Sequence, residues 1–424
     1  MRYLSTRDAT KTYALSEALE LGICPSGGLF VPETLPQFDL KSFSSHDDFT
    51  AFSEKLLRPF FIDDQLEKDL SGIVNDAFTF PVLWRELENK HYLLELFHGP
   101  TAAFKDFGAR FLASCFLKLG HKKTILVATS GDTGGAVASA FYKKKNLKVV
   151  ILFPKDAVSP LQKKQLTCWG ENVLSLEVEG DFDSCQKLVK EAFLEENGQK
   201  KFALTSANSI NIGRLLPQIT YYAYSAYHLF LKLGRPINFI IPSGNMGNGM
   251  AAVWCKQMGL PIGKIHFACN QNRPIYDFFE IGKLTPRPSI KTLANAMDVG
   301  NPSNMERLIF NTKKTPSILS DLAASWNSDE EIAKTIQHYH KKHHLFVCPH
   351  TAVALCACHK FFHGEVAVSV ATAHPYKFNE VMTQILGEKT ISAPEPLADL
   401  CNRSSVFESM KPELQALQKK LEHF

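Results

Sequence analysis

From residue 91 onward, seven short apolar runs rich in β-branched residues recur along this chain. They are HYLLELF (91–97), TILVAT (124–129), LKVVILF (147–153), NVLSLEV (172–178), NFIIPS (238–243), KIHFAC (264–269) and VAVSVAT (366–372). Between them lie stretches with the helical spacing of apolar positions: FKDFGARFLASCFLKLG, GGAVASAFYKKK, SPLQKKQLTCWG, DSCQKLVKEAFLEE and the long INIGRLLPQITYYAYSAYHLFLKLG. Strands alternating with helices predict an α/β fold, with parallel sheets covered by helices on both faces. Runs this uniformly apolar have no polar face to offer to water. Residues 1–80 are more mixed, with helix-like segments and several turns.

Composition refines this picture mainly by exclusion. The 424 residues suffice for two to three domains, each able to bury a core. Lys and Arg number 47 against 43 Asp and Glu, a formal net charge of +4 with both signs interspersed. That balance lacks the clustered basic surface nucleic acids require, so no nucleic-acid partner is expected. The most apolar stretches, such as VVILF (149–153), fall far short of the ~18 residues that read as a membrane span. No membrane partner is expected either. The opening MRYLSTRDATKTY lacks the apolar core of a secretory signal, so the expected location is cytoplasmic.

Cysteine and histidine need separate reading. Ten cysteines are scattered from Cys24 to Cys401 without the regular spacing of a disulfide framework. Cys348, Cys356, Cys358 and His359 lack the paired short spacings of a structural zinc site. Their window, AVALCACHKFF, reads as an amphipathic helix. His338, His340, His343 and His344 close a helical run that opens SDEEIAKTI, acidic first and basic last, as the helix dipole favours. No metal is expected.

In parallel sheets, ligands bind beyond the carboxyl ends of the strands. Two strand-to-helix turns there echo one another. ATSGDTGGAVA contains Ser130, Gly131, Asp132 and Thr133; IPSGNMGNGMAA contains Ser243, Gly244, Asn245, Met246, Gly247 and Asn248. Glycines let the backbone approach a ligand, and amide groups converging at a helix N-terminus make a cradle for phosphate or carboxylate. Neither turn is a P-loop or a dinucleotide fingerprint. One could hold a cofactor phosphate and the other a substrate carboxylate. A third segment, FHGPTAAFKDFGARF (97–111), places Lys105 near the amino end of a helix, where the dipole opposes its charge. Phe104 and Phe107 beside it would desolvate the ammonium and lower its pKa. A partly neutral lysine is what Schiff-base chemistry requires. Aldehyde to lysine and phosphate to a glycine loop make pyridoxal 5'-phosphate the economical cofactor.

HGPTAAFKDFGAR resembles the cofactor-lysine segment of threonine synthases, pyridoxal-phosphate enzymes of fold type II. ATSGDTGGAVA is similar to their substrate-carboxylate loop, PSGNMGNG to their cofactor-phosphate loop, and ATAHPYKF (371–378) to the strand end facing the pyridine nitrogen. LGICPSGGLFVPE (21–33), SANSINIGRLLPQ (206–218), NAMDVGNPSN (295–304) and PHTAVA (349–354) fit the same family in the same order, from residue 1 to about 390. Met246 and Cys348 depart from its pattern, where an aromatic and an acidic residue are common.

The resemblance implies two open, twisted, mostly parallel sheets with helices on both faces, after an N-terminal α+β segment. Its implied divisions are an N-terminal segment 1–80, a large cofactor domain 81–104 with 217–390, a small α/β domain 105–216, and a helical tail 391–424. Lys105 is expected to form the Schiff base and to shuttle protons at Cα and Cβ. Ser243, Gly244, Asn245, Met246, Gly247 and Asn248 are expected at the cofactor phosphate, and Thr372 at the pyridine nitrogen. Asp132 is expected to reach toward the cofactor 3-hydroxyl. Thr101, Ser130, Gly131 and Thr133 are expected on the substrate, with its carboxylate at the 130–133 turn; Asn211 and Arg214 are expected at its phosphate. Plainer alternatives stay open: Asn211 and Arg214 capping and solvating the long helix, Asp132 bonding its own turn, and Thr372 simply ending a strand.

The implied reaction converts O-phospho-L-homoserine and water to L-threonine and phosphate, performed by a monomer or homodimer. A phospho-lyase releasing 2-oxobutyrate would retain the same cofactor residues. A non-catalytic protein binding the cofactor or a phosphoester is a further alternative.

Overall fold

The computed structural model describes residues 1–88, 90–156, 158–195, 201–387 and 391–424. Strand β1 (Tyr3–Ser5) pairs antiparallel with β2 (Thr12–Tyr13) and β3 (Phe30–Pro32). With helices Phe49–Phe61 and Leu70–Ala77, this small sheet forms the N-terminal α+β segment.

Two further sheets carry the site. One has six strands: β4 (Leu83–Glu86), β5 (His91–Glu95), β10 (Ile237–Pro242), β11 (Ile262–Cys269), β12 (Leu322–Trp326) and β13 (Ala367–Ala371). Their order is β12-β11-β10-β13-β5-β4, all parallel except the edge pair β4–β5. The other has five parallel strands in the order β14-β8-β7-β6-β9: β6 (Lys123–Ala128), β7 (Leu147–Pro154), β8 (Val173–Val178), β9 (Leu204–Thr205) and β14 (Glu408–Met410). Each of the seven predicted runs is a strand.

Period-two alternation explains why these runs are apolar throughout. Ile125 and Val127 of β6 enter the core shared with the N-terminal segment, whereas Leu126 and Ala128 enter the core on the opposite face. In β10, Phe239 and Ile241 face one core and Ile240 the other. Covering both faces drives burial at roughly 25 cal/mol per Å² of apolar surface.

Two features depart from expectation. The long helical run over 210–234 divides at Pro217, into Ile212–Leu215 and Gln218–Leu233. Proline has no N–H for the ladder, so the hydrogen-bonded run is interrupted there although Leu216 keeps helical backbone. The tail expected to be helical also contributes β14, which pairs with β8, and its last helix, Leu414–His423, packs on helix Phe182–Leu194. The expected boundary at residue 390 lies outside the described residues. No described helix is long and apolar enough to cross a membrane.

Candidate active site

A cavity of about 1710 Å³ opens where the carboxyl ends of β6, β10 and β13 meet. Lys105, Ser130, Asp132, Thr133, Arg214, Ser243, Gly244, Asn245, Met246, Gly247, Asn248 and Thr372 all line it. Thr101, Gly131 and Asn211 do not; each lies behind the wall with its own structural task.

The turn after β10 is held rigid from behind. Met246 takes a left-handed conformation (φ 66°) and caps helix Gly247–Gln257, whose first-turn amides have no intrahelical acceptor. Gly244 is required by close approach: a Cβ there would stand 2.8 Å from Met297 Cα. Asn245 donates to Ser209 Oγ at 2.7 Å and accepts the Ser303 amide at 2.6 Å. Arg307, fully buried, ties the Ser209 and Ile210 carbonyls to Asn304. Asn248 Oδ1 accepts from the Tyr221 and Tyr222 hydroxyls at 2.6 and 2.8 Å. That fixes the amide orientation and leaves Asn248 Nδ2 buried without an acceptor.

Lys105 is the first residue of helix Lys105–Leu119, as expected from the position of Pro100 and Thr101. Thr101 reaches forward to Asp106, donating its amide and its hydroxyl to the carboxylate. Phe104 stacks beside Lys105, its ring centroid 4.8 Å from Nζ. Phe107 does not desolvate the lysine directly; it turns into an aromatic core with Phe49, Phe80 and Tyr221. Burial lowers the Lys105 pKa; Asp132 opposes this, while Lys377 and Arg214 add to it.

The turn after β6 is bonded by Thr129, whose hydroxyl accepts the Gly131 and Gly134 amides. Asp132 is free for other partners. Its Oδ1 accepts from Gln162 Nε2 at 3.2 Å and pairs with Lys377 Nζ at 3.1 Å. Burial would raise the Asp132 pKa, but Lys377, Lys105 and His350 outweigh it and hold the carboxylate ionised. Gly131 has φ 137° and passes against Gln162, where any Cβ would collide at 2.6 Å. Ser130 and Thr133 are half-buried on the cavity wall, and Thr372 stands at the end of β13, its carbonyl accepting the Phe104 amide.

Asn211 caps helix Ile212–Leu215: Oδ1 accepts the Gly213 amide, and Nδ2 donates to the Leu19 and Ser206 carbonyls. It is fully buried and off the cavity, so its predicted contact with a substrate phosphate gives way to the capping alternative. Arg214 is buried, with Nη1 donating to the Ala207 carbonyl and Nη2 to the Lys105 carbonyl at 3.4 Å. Its Nε has no acceptor. Burial pushes its pKa down to about 10, with Asp106 opposing, so it is a cation at neutral pH.

Residues 78–372 match the family described as pyridoxal-phosphate dependent enzyme. Residues 2–78 match the threonine synthase N terminus, and 351–420 the threonine synthase C-terminal region. The chain is 38% identical to threonine synthase of Escherichia coli K12 over 424 residues, covering 99% of both chains. The chain belongs to the threonine synthase family. The crystal structure of threonine synthase from Escherichia coli superposes with a TM-score of 0.94 at 37% identity, covering 100% of each chain. The pyridoxal-phosphate-bound threonine synthase from Brucella melitensis gives 0.92 at 32% identity, covering 100% of this chain and 99% of that one.

The cofactor of this threonine synthase-family chain is pyridoxal 5'-phosphate, and the cavity fits it. The orphaned Asn248 Nδ2 and the open amides of helix Gly247–Gln257 offer donors to a phosphate. Lys105 brings an amine and Thr372 a hydroxyl-bearing side chain to the same cavity.

Sequence reasoning assigned no role to Lys377 or His350, although both lie in quoted stretches, ATAHPYKF and PHTAVA. His350 Nε2 accepts the Ala296 amide at 3.0 Å, and Nδ1 is buried without a partner. Burial pushes its pKa down to about 4, Asp132 opposing and Lys105 and Lys377 adding. Tyr221 and Tyr222 also escaped notice, because their helix reads simply as core.

Cys348 Sγ caps helix Pro349–Phe361, and Cys356 and Cys358 are buried in it. Among the described residues, the cluster able to gather around a metal is Glu88, His338 and His343, where Lys342 already donates to both Glu88 oxygens.

Proposed function

We propose that this chain is a threonine synthase, a carbon–oxygen lyase that converts O-phospho-L-homoserine and water to L-threonine and phosphate. The observation carrying this reading is the pairing, across one cavity, of a lysine that forms no contact ion pair among the described residues and two glycine-bearing turns. Bound pyridoxal phosphate supplies an electron sink for charge developing at the substrate Cα.

This chain's residues do the rest. Ser243, Gly244, Asn245, Met246, Gly247 and Asn248 hold the cofactor phosphate, Thr372 meets the ring nitrogen, and Asp132 faces the 3-hydroxyl. Ser130 and Thr133, with the Gly131 turn that aims them, hold the substrate carboxylate. Thr101 acts from behind, by fixing the turn that carries Lys105. Arg214 lines the cavity as a cation without an ion-pair partner among the described residues, and attracts the substrate phosphate. Lys105 Nζ takes the Cα proton and later returns one there; a Cβ proton leaves as the Cγ–O bond to phosphate breaks, Cγ takes up a proton, and water bonds through oxygen at Cβ, giving up its own proton. Burial lowers the pKa of Lys105, with Lys377 and Arg214 adding, which favours the neutral amine that a base requires.

The proposed divisions are 1–80, a large domain 81–104 with 217–390, a small domain 105–216, and a tail 391–424 that joins the small domain's sheet through β14. The proposed location is the cytoplasm. The test is incubation of the purified chain with O-phosphohomoserine, measuring threonine and phosphate together. Equal release of both is expected; 2-oxobutyrate without threonine would sink the synthase reading.

A further inference from the structure

One carboxylate, Asp132, stands near two lysines, Lys377, which is buried, and Lys105, which is half-buried on the cavity wall. Lys377 Nζ lies 3.1 Å from Asp132 Oδ1 and donates to the Thr101 carbonyl at 2.8 Å, its side chain 0% exposed. Gln162 fixes the same Asp132 oxygen. Lys105 Nζ lies 4.8 Å from the Phe104 ring centroid and, among the described residues, forms no contact ion pair. A buried site holding two ammonium groups and one carboxylate can compensate one of them well, and the cation with the additional hydrogen bond wins. The other sheds its proton more easily.

We propose that Lys377 is a positioning residue: by taking Asp132 as its own close partner, it weakens that carboxylate's hold on Lys105 and leaves the Lys105 amine outside the ion pair. The inference rests on the reading that Lys105 holds the cofactor. Lys377 stands in the turn Pro375–Phe378 after β13, Asp132 on the turn after β6, and Thr101 four residues before Lys105. The pair therefore joins the two large sheets at the reacting end of the cavity. The charged and titratable groups acting on Lys105 from the surrounding elements are Asp132, Lys377, Arg214 and His350. His350 is held neutral by burial, and Arg214 is a further cation. Of these four, Asp132 is thus the one whose charge favours the protonated form of Lys105. Condensation needs the Nζ lone pair: nitrogen bonds to the aldehyde carbon, and the aldehyde oxygen leaves as water with the two amine hydrogens.

The experiment uses the full chain freed of cofactor. Lys105 is labelled with acetic anhydride over a pH series and its acetylation read by peptide mass spectrometry, a readout independent of turnover. Lys377→Met and Lys377→Gln are compared with wild type; the Gln variant retains hydrogen-bonding capacity toward Thr101 and Asp132 and removes only charge. Both are expected to raise the midpoint for Lys105 by about one pH unit, which is about tenfold less labelling at a fixed pH below it. Adding Asp132→Asn to Lys377→Gln is expected to return the midpoint to wild type or below. An unmoved midpoint in either folded variant overturns the proposal, and so does a rise that persists in the double variant. Visible absorbance with added pyridoxal phosphate in Lys105→Ala would instead overturn the assignment of Lys105, and the inference with it.

Discussion

The Asp106 carboxylate clasps Thr101, accepting its amide at Oδ2 (2.9 Å) and its hydroxyl at Oδ1 (2.6 Å). This bond closes the turn immediately before Lys105, so the position of the amine depends on a carboxylate that does not line the cavity. Gly99 is part of the same arrangement, because a Cβ there would strike Asp106 Oδ2 at 2.5 Å. Asp106→Ala leaves two buried donors unpaired, at about 1–3 kcal/mol each. The expected outcome is a lower denaturation midpoint with an unchanged denaturant slope, together with a fall in kcat on the order of tenfold to a hundredfold.

Asn248 is oriented by two tyrosines and offers its remaining donor inward. Asn248→Asp keeps the acceptor that Tyr221 and Tyr222 need but replaces that donor with negative charge. Binding of pyridoxal phosphate, followed by absorbance titration, is expected to weaken by about tenfold to a hundredfold, the value of a hydrogen bond to a charged group. Unchanged cofactor affinity would remove Asn248 from the phosphate site.

Gly244→Ala tests the backbone approach directly. Its Cβ would meet Met297 Cα and the Met297 carbonyl, which are backbone atoms and cannot swing aside. Overpacking of this kind costs about 1–3 kcal/mol. Calorimetry is expected to show a lower Tm, and equilibrium dialysis a weaker cofactor complex. Gly120→Ala is the contrast: φ is 73° there, but nothing lies within 4 Å of the added Cβ. It should cost only backbone strain and leave cofactor binding alone.

His350 and His374 both accept backbone amides, from Ala296 and Tyr376, and burial pushes the pKa of each down to about 4. For His374, the neighbouring His98 and Lys377 add to the lowering and Glu95 opposes it. Unfolded, each titrates near 6.5. Between those values the unfolded chain binds a proton that the folded chain refuses. Stability therefore falls as pH drops from about 6.5 toward about 4, and below that these groups contribute no further slope. Urea denaturation of His350→Gln over this window is expected to show a shallower pH dependence than wild type, by roughly one proton.

The strands were legible because burial on both faces demands apolar residues at every position, a local and composition-level signal that needs no partner to be known. Short strands were not: β9 and β14 have two and three residues, and their pairing is decided by β6 and β8, far away in the chain. Pro217 illustrates an intermediate case. Its effect on the helix is local, but apolar spacing continues through it, and spacing alone reads as one helix.

The glycine turns and Lys105 were legible as candidates because their chemistry is carried by residue type and by position at a strand end or helix start. Whether a given side chain faces the ligand was another matter. Asn211 and Arg214 lie one helical turn apart, yet the asparagine spends every polar atom on carbonyls and amides around it while the arginine lines the cavity.

By itself, then, the sequence determined the α/β class, the two glycine turns and the lysine that precedes them, since apolar period, glycine placement and motif order are properties of the chain. Tertiary structure alone decided the charge relations. Asp132 and Lys377 are separated by well over two hundred residues, and nothing along the chain says that they meet, buried, at 3.1 Å beside the cavity. Electrostatic energy depends on distance and burial, and both come into existence only when the two sheets are packed together.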